Sequence, residues 1–252
     1  MKTLLQTLLF YLLATQICFG QWYWQNPLPQ GNDLLSVYFT DSNIGWAVGV
    51  AGTILKTTNA GNNWVPQSSG TAEALGSVYF SEANTGWVVG GGGTILKTTN
   101  GGANWLTQIS GTTESLRSVY FIDANTGWAV GSGGTILKTT DAGTNWIPQN
   151  SGSTEGLGSV YFSDANTGWV VWGGGSIYGN TFGGILKTTD GGNSWTLSLS
   201  TSEFLTSVYF TDANTGWAVG FYNSGVGHVR YGVVLKTTDG GNSWTLIEAL
   251  DY

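Results

Sequence analysis

Residues 207–217 read SVYFTDANTGW, and close variants of this stretch occur four more times earlier in the chain. The SVYF tetrapeptide begins at Ser36, Ser77, Ser118, Ser159 and Ser207, with spacings of 41, 41, 41 and 48 residues. The Gly-Trp pair that follows it supplies Trp46, Trp87, Trp128, Trp169 and Trp217. A second tryptophan series closes each repeat at Trp64, Trp105, Trp146, Trp195 and Trp244. A fixed period of this length indicates a tandem-repeat architecture.

Each repeat predicts four short strands: SVYF, GWAVG or GWVVG, TILKTT, and the segment that begins at the closing tryptophan. The connectors D-A-N-T-G, a glycine-rich run, and T-D-G-G-N-S have the composition of turns. Four strands in about 41 residues is the size of one β-propeller blade, whereas sandwich domains lack so short a tandem period. We therefore predict an all-β propeller of four-stranded blades, with repeats at approximately 31–70, 71–111, 112–152, 153–201 and 202–252.

The sequence leaves the closure of the propeller open. The segment after Trp24, QNPLPQ, resembles the segment after each closing tryptophan, so residues 21–30 look like a fourth strand without a blade of its own. The residues after Trp244 supply another fourth strand. Five blades forming a closed ring is the interpretation we favour, and a fragment of a larger ring is the alternative.

Residues 1–20 have the pattern of a secretory signal peptide. Lys2 precedes an apolar run from Leu4 to Leu13, and Gly20 ends the segment. A membrane anchor is the alternative, but the run falls short of the ~20 residues that a spanning helix needs. We expect residues 21–252 to be a propeller domain that is secreted, periplasmic or at the cell surface, with no membrane insertion once the signal is removed.

Composition excludes several kinds of partner and chemistry. Removal of Lys2 would leave seven basic and fifteen acidic residues, a net charge of −8, so nucleic acid and anionic membranes are poor partners. The one cysteine, Cys18, lies in the predicted signal. The exported chain would therefore lack disulfides, thiol nucleophiles and cysteine metal ligands.

The stretch LKTTDGGNSW at residues 186–195 and 235–244 raises the question of a cation loop. Comparison of the five copies answers it: the acidic position is Asp141, Asp190 and Asp239 in three repeats but Asn59 and Asn100 in the other two. A metal site would lose its charge there, whereas a turn needs only a side-chain oxygen followed by a glycine. We predict a structural clasp whose closing tryptophan is buried against the blade, with no metal and no cofactor.

The clasp pattern, S/T-x-D-x-G-x-x-W, resembles the Asp-box of bacterial neuraminidase-type repeats. The fuller pattern from Ser207 to Trp244, SVYF-TDANTGWAVG followed by VVLKTTDGGNSW, resembles repeats of the photosystem II stability/assembly factor family. The resemblance covers residues 31–252 and implies a propeller fold. Asp-box propellers include sialidases, xyloglucan hydrolases, sortilin-type receptors and assembly factors, so the fold alone does not choose a function.

Residue types narrow these functions. Sialidases hold the substrate carboxylate with three arginines, whereas this chain has only Arg117 and Arg230. The recurring acids of the D-A-N-T-G turns fit a role as turn formers; they are Asp41, Glu82, Asp123, Asp164 and Asp212. The glycine run 90–93 precedes a strand, which predicts a hairpin rather than a phosphate loop. We therefore favour a noncatalytic binding or assembly scaffold, with a glycoside hydrolase or lyase using paired carboxylates as the alternative.

The expected ligand face is the one opposite the clasps. In a four-stranded blade the first and third connectors share one side, which we call the bottom face, so the glycine-rich connectors and the loops between blades form the top face. Repeats four and five lengthen the glycine-rich connector and add aromatic, His and Arg residues: Trp172, Tyr178, Phe182, Phe221, Tyr222, His228, Arg230 and Tyr231. An acid precedes SVYF by four residues at Glu73, Glu114, Glu155 and Glu203. These two sets are the candidate site for a protein or glycan ligand; loop drift and a duplicated surface charge are the alternatives.

Overall fold

The computed structural model describes residues 31–175, 181–223 and 230–250. The predicted signal at 1–20 and the strand-like segment at 21–30 lie outside this part of the chain. The fold is all-β: twenty strands form five antiparallel four-stranded sheets, each ordered as in the sequence. None of the described segments is a helix long and apolar enough to cross a membrane.

Each predicted repeat forms one blade. Blade 1 comprises β1 (Leu34–Phe39), β2 (Gly45–Gly49), β3 (Ile54–Thr57) and β4 (Val65–Gln67), and blade 2 comprises β5 (Leu75–Phe80), β6 (Gly86–Gly90), β7 (Ile95–Thr98) and β8 (Leu106–Gln108). Blade 3 comprises β9 (Leu116–Phe121), β10 (Gly127–Gly131), β11 (Ile136–Thr139) and β12 (Ile147–Gln149). Blade 4 comprises β13 (Leu157–Phe162), β14 (Gly168–Gly175), β15 (Thr181–Thr188) and β16 (Thr196–Thr201), and blade 5 comprises β17 (Phe204–Phe210), β18 (Gly216–Asn223), β19 (Arg230–Thr237) and β20 (Thr245–Leu250).

Tryptophan and phenylalanine hold neighbouring blades together. Trp128 of blade 3 is fully buried and stacks on Phe162 of blade 4, with ring centroids 3.5 Å apart. The closing Trp195 approaches the same phenylalanine edge-on at 5.9 Å, so one ring is held between two indoles. The same stack recurs at 3.6 Å in the other three interfaces between described blades. Aromatic rings bury the largest apolar areas of any side chains, so these stacks are the main cohesion between blades.

The repeated Gly-Trp pair follows from this packing. A Cβ added to Gly127 would lie 2.6 Å from the ring of Phe121, and the equivalent glycines of the other blades meet their own phenylalanines at 2.5–2.7 Å. A separation below 3 Å leaves no room for a side chain. Glycine is required here because the phenylalanine ring lies directly on the backbone of the neighbouring strand.

The blades do not close into a ring within the described residues, so the favoured closed five-blade ring is wrong for this part of the chain. Val37 of blade 1 is 60% exposed, whereas its four counterparts in blades 2 to 5 are 4–5% exposed. Val219 of blade 5 is 38% exposed, whereas its counterparts are fully buried. Both outer faces therefore lack the neighbouring blade that covers the same positions elsewhere, and the partial ring is the alternative that fits.

Candidate functional site

The clasp turns lie on the bottom face together with the D-A-N-T-G turns, as predicted. The backbone N–H of Gly191 in the blade 4 clasp donates to the carbonyl of Asn166 in that blade's D-A-N-T-G turn at 2.8 Å. Equivalent bonds join the two turns in the other four blades. On the opposite side, the N–H of Gly91 donates to the carbonyl of Ala74 in the loop that leads into β5. The glycine-rich connectors and the loops between blades thus share the top face.

Clasp carboxylates are occupied by hydrogen bonds within the turn. Thr188 Oγ1 donates to Asp190 Oδ1 at 2.8 Å and accepts the backbone N–H of Gly192 at 2.9 Å. The Ser194 backbone N–H donates to Asp190 Oδ1 at 2.9 Å. In blade 1, Asn59 Oδ1 accepts from Thr57 Oγ1 at 3.0 Å and from the Asn63 backbone N–H at 2.9 Å. Asn and Asp thus make the same turn, as the sequence comparison predicted.

The first testable prediction concerns this turn. The Ser194 hydroxyl donates to Asp190 Oδ2 at 2.6 Å, and this bond with the other donors lowers the pKa of Asp190 to about 2. A lowered folded-state pKa stabilises the fold above the unfolded value and loses that contribution as pH falls toward 2. We expect Asp190→Asn to leave the thermal midpoint near that of the parent at pH 7 and to flatten its fall between pH 4 and pH 2.

Thermal unfolding followed by circular dichroism across this pH range checks the prediction. The matched control is Asn59→Asp, which places a carboxylate in the same turn of blade 1 and should steepen the acid loss. A calcium-dependent rise in the midpoint of the parent that Asp190→Asn removes would contradict the structural role.

The acids of the D-A-N-T-G turns also bond within their own turns. Asp123 Oδ1 accepts the backbone N–H groups of Asn125 and Thr126, each at 2.7 Å. Asp41, Asp164 and Asp212 accept the equivalent pair of N–H groups at 2.7–2.8 Å. Glu82 differs and accepts from the Thr85 hydroxyl at 2.9 Å. These contacts explain the repeated acids as turn formers.

The long connectors of blades 4 and 5 are extended hairpins rather than loops. In blade 4 the pairing of β14 with β15 continues from Trp172 opposite Gly184 to Gly175 opposite Thr181. In blade 5 the pairing of β18 with β19 continues to Asn223 opposite Arg230. Tyr178 and His228 lie outside the described residues, and for Phe182 and Arg230 only the strand backbone is described. The corresponding turns of blades 2 and 3 are three-residue 3-10 turns, Gly91–Gly93 and Ser132–Gly134.

Two stacked aromatic pairs involve the blade 5 hairpin, and one of them is completed by Phe204 at the start of the adjacent strand β17. Phe221 stacks on Phe204, and Tyr222 stacks on Tyr231, each with ring centroids 4.8 Å apart and planes inclined by 15°. Phe221 and Tyr222 are adjacent in β18, so the pairs lie on opposite faces of the hairpin. All four side chains are partly exposed. We call these four residues the aromatic hairpin.

Phe204 links the two inserts and is a residue that the sequence analysis missed. A Cβ on Gly173 of blade 4 would lie 2.4 Å from the Phe204 ring, so the two hairpins meet at this residue. Its counterparts in blades 2, 3 and 4 are Ala74, Ser115 and Gly156. The change from a small residue to phenylalanine at this position is the sequence signal that could have identified it. Trp172, by contrast, is buried at 8% exposure in the core between blades 3 and 4.

The four glutamates that precede SVYF lie one in each loop between blades, and we call them the rim glutamates. Glu73, Glu114 and Glu155 are exposed and Glu203 is half-buried. Their loops are tied to the glycine connectors, since Gly52 N–H donates to the Glu73 carbonyl at 2.8 Å and Gly134 N–H donates to the Glu155 carbonyl at 2.7 Å. The rim adds negative charge to the top face in blades 2 to 5.

Comparisons with known proteins agree with this architecture. A family model described as photosynthesis system II assembly factor YCF48 matches residues 17–111, which include the first two repeats. A structure of YCF48 bound to a D1 peptide superposes with a TM-score of 0.60 and 23% identity, covering 87% of this chain and 82% of that one. The chain is a BNR-like propeller resembling the photosystem II assembly factors. YCF48 from Cyanidioschyzon merolae matches with a TM-score of 0.59 and 21% identity over 87% of this propeller and 86% of that chain.

Glycoside hydrolases of family GH74 share the fold as well. The Niastella koreensis GH74 enzyme gives a TM-score of 0.64 at 20% identity, and an ancestral GH74 enzyme gives 0.68 at 18%. This BNR-like propeller covers only 38% and 32% of those chains. No curated protein matches the sequence. At these identities the structural likeness establishes the fold alone.

Proposed function

We propose that this BNR-like propeller is a noncatalytic scaffold that binds a protein partner through the aromatic hairpin on its top face. The observation that carries the proposal is the pair of stacked aromatic couples on the blade 5 hairpin, at a position where blades 2 and 3 have only short glycine turns. Aromatic side chains on a rigid scaffold are frequent anchors of protein interfaces. The YCF48 structure with a bound D1 peptide shows that a propeller of this shape takes a peptide ligand.

The charge of the top face bears on the kind of partner. Three rim glutamates are exposed on loops that adjoin the glycine connectors, and the chain has a formal net charge of −7. Like charges brought together at an interface are unfavourable, so an acidic partner is disfavoured. A peptide with basic and apolar residues is the partner that fits best.

The second prediction tests the aromatic hairpin. A random peptide display library is panned on the parent chain, and the enriched peptides are titrated against Phe204→Ala and Tyr231→Ala. We expect each variant to weaken binding by about 1 kcal/mol or more, roughly fivefold or greater, because buried aromatic anchors dominate interface energies. The matched control is Leu106→Ala, which truncates a 66% exposed apolar residue on the outer strand of blade 2 and should leave binding unchanged.

Other outcomes of this experiment distinguish the alternatives. Equal peptide affinity in folded hairpin variants would remove the aromatic hairpin from the interface and direct the search to the rim at Glu73, Glu114 and Glu155. Binding to a glycan array but not to peptides would favour a carbohydrate ligand. Hydrolysis of a polysaccharide by the parent chain, lost when one rim glutamate is changed to glutamine, would favour the hydrolase.

We also propose that the propeller acts outside the cytoplasm, on the basis of the signal-like pattern at residues 1–20. Amino-terminal sequencing of protein recovered from an expressing cell tests this proposal. A mature terminus near Gln21 supports it, and retention of Met1 or Lys2 in the mature protein contradicts it.

A further inference from the structure

The outer faces of blades 1 and 5 expose residues that every internal interface buries. On blade 1 they are Leu34, Val37 and Phe39, with exposures of 48%, 60% and 41%, whereas their counterparts in blades 2 to 5 are 5% exposed or less. We call this surface, together with Gly61, the blade 1 end face. On blade 5, Val219 is 38% exposed and Trp217 is partly exposed, whereas their counterparts in the other blades are fully buried. We call these two residues, with the 57% exposed Tyr209 and with Lys236 over the Trp217 ring, the blade 5 end face.

The four internal interfaces show what each face binds. The Gly-Trp tryptophan of one blade stacks on the SVYF phenylalanine of the next, at 3.5–3.6 Å between centroids. The SVYF serine of one blade accepts the N–H of the next blade's valine at 3.3–3.5 Å. The SVYF tyrosines contact their neighbours at 5.1–5.3 Å.

Polar contacts at the bottom of the interface repeat as well. Trp87 Nε1 donates to the Ala142 carbonyl at 3.1 Å, and Trp128 Nε1 donates to the Gly191 carbonyl at 3.2 Å. Between blades 1 and 2 the corresponding carbonyl, that of Gly101, accepts from Lys56 Nζ at 2.7 Å instead. In three of the four internal interfaces a clasp carbonyl of the next blade therefore accepts from a tryptophan or a lysine, and between blades 4 and 5 Lys187 Nζ donates instead to Oδ1 of Asn242 in the next clasp, at 2.9 Å.

Among the five described blades, each of these series ends with an unmatched member at both ends of the array. Trp217 and Lys236 carry the donors of blade 5, and the matching acceptor on blade 1 is the Ala60 carbonyl. Tyr209 and Ser207 face outward on blade 5, whereas Val37 and Phe39 face outward on blade 1. The two end faces are therefore the two halves of the interface that already joins the internal blades.

We propose that the blade 5 end face of one copy binds the blade 1 end face of a second copy, head to tail. This proposal is independent of the proposed function and of the aromatic hairpin. In the complex, Trp217 stacks on Phe39 of the second copy, and Ser207 Oγ accepts the N–H of Val37 of the second copy. Charge is compatible with this docking, because the Lys236 ammonium approaches a carbonyl and no acidic side chain belongs to either defined face.

The contact is heterologous, since two different surfaces meet, and such contacts form rings or continue as open assemblies. The described residues of two copies would contribute ten blades, more than the four to eight that usually close one propeller. Two copies therefore cannot share one flat ring of usual size, and the second copy must step out of the plane of the first. We expect stepwise association that increases with concentration.

The third prediction tests this contact by sedimentation velocity over a range of concentrations of the full chain. We expect the parent to self-associate, and both Val37→Lys and Val219→Lys to abolish association over the same range. The matched control is Leu106→Lys, which adds the same charge at a 66% exposed apolar position on the outer strand of blade 2 and should associate like the parent. Circular dichroism and thermal unfolding establish that all the variants are folded.

Mixing the two disabled variants makes the test specific. Val37→Lys retains an intact blade 5 end face, and Val219→Lys retains an intact blade 1 end face, so the mixture should form one-to-one pairs that do not grow further. A monomeric parent, association of either single variant alone, loss of association in Leu106→Lys, or a mixture without pairs would each overturn the proposal. A monomeric parent would point instead to cover of the end faces by residues of the same chain.

Discussion

Replacing Trp128 by alanine is expected to lower the free energy of unfolding by about 3–5 kcal/mol, the usual cost of emptying a large aromatic site in a core. Its ring has no exposed surface, stacks on Phe162 at 3.5 Å and donates to the Gly191 carbonyl at 3.2 Å. The loss should therefore uncouple blades 3 and 4 as well as leave a cavity. Chemical denaturation followed by fluorescence and circular dichroism measures the effect.

The chain provides its own control in Trp217, which occupies the same position in blade 5. Trp217 is partly exposed, and no following blade covers it in the described part of the chain. We expect Trp217→Ala to cost less than half as much as Trp128→Ala at a concentration at which the protein is monomeric. Equal losses would show that the tryptophan stabilises its own blade rather than the contact between blades.

The strands and turns were predictable because each blade repeats a local pattern. SVYF, Gly-Trp and LKT fall within the strands of all five blades. The exchange of Asn59 for Asp190 at the same turn position identified the clasp, since both side chains accept the same hydrogen bonds. These features depend on residues close in sequence, so the repeats within the chain are enough to predict them.

The relative importance of the two tryptophan series was not predictable in the same way. The sequence analysis expected the closing tryptophans to be buried; Trp105 and Trp146 are buried at 8% and 7% exposure, and Trp195 is half-buried, whereas Trp128 of the Gly-Trp series is fully buried. The difference arises from the neighbouring blade, which covers the Gly-Trp ring completely and the closing ring less completely. The burial of a side chain between two blades depends on the angle between them, and this angle cannot be predicted from the repeat length alone.

Two further features depend on the same missing information. The inserts were expected to be loops because they are rich in glycine, yet Gly173 pairs with Gly183 in a continuing hairpin. Ring closure was predicted wrongly because the repeat period gives the number of blades but not the angle through which each blade is rotated relative to the next. The sequence analysis named three of the four stacked aromatic residues, Phe221, Tyr222 and Tyr231. It missed Phe204, the partner of Phe221, because this residue lies before the repeat motif rather than in the insert.

The remaining large effect concerns the glycine beneath each interblade tryptophan. Gly143 adopts a φ of +83°, and a Cβ added to it would lie 2.9 Å from Trp87 Nε1. Gly61 occupies the same turn position in blade 1 with a φ of +81°, but its Cβ would meet only its own Trp64 at 3.6 Å. The two glycines thus share the backbone conformation and differ in whether a preceding blade presses on them.

We expect Gly61→Ala to cost about 1–2 kcal/mol, the usual penalty for a left-handed conformation in a residue with a side chain. Gly143→Ala should cost about 1–3 kcal/mol more, because the added methyl group overpacks the contact with Trp87. The preceding position of the same turn already holds alanine at a positive φ, since Ala60 and Ala142 adopt a φ of +58°. Chemical denaturation of both variants separates the backbone penalty from the packing penalty. Equal losses of unfolding free energy would mean that the turn alone requires glycine, and that the packing of one blade on the next does not.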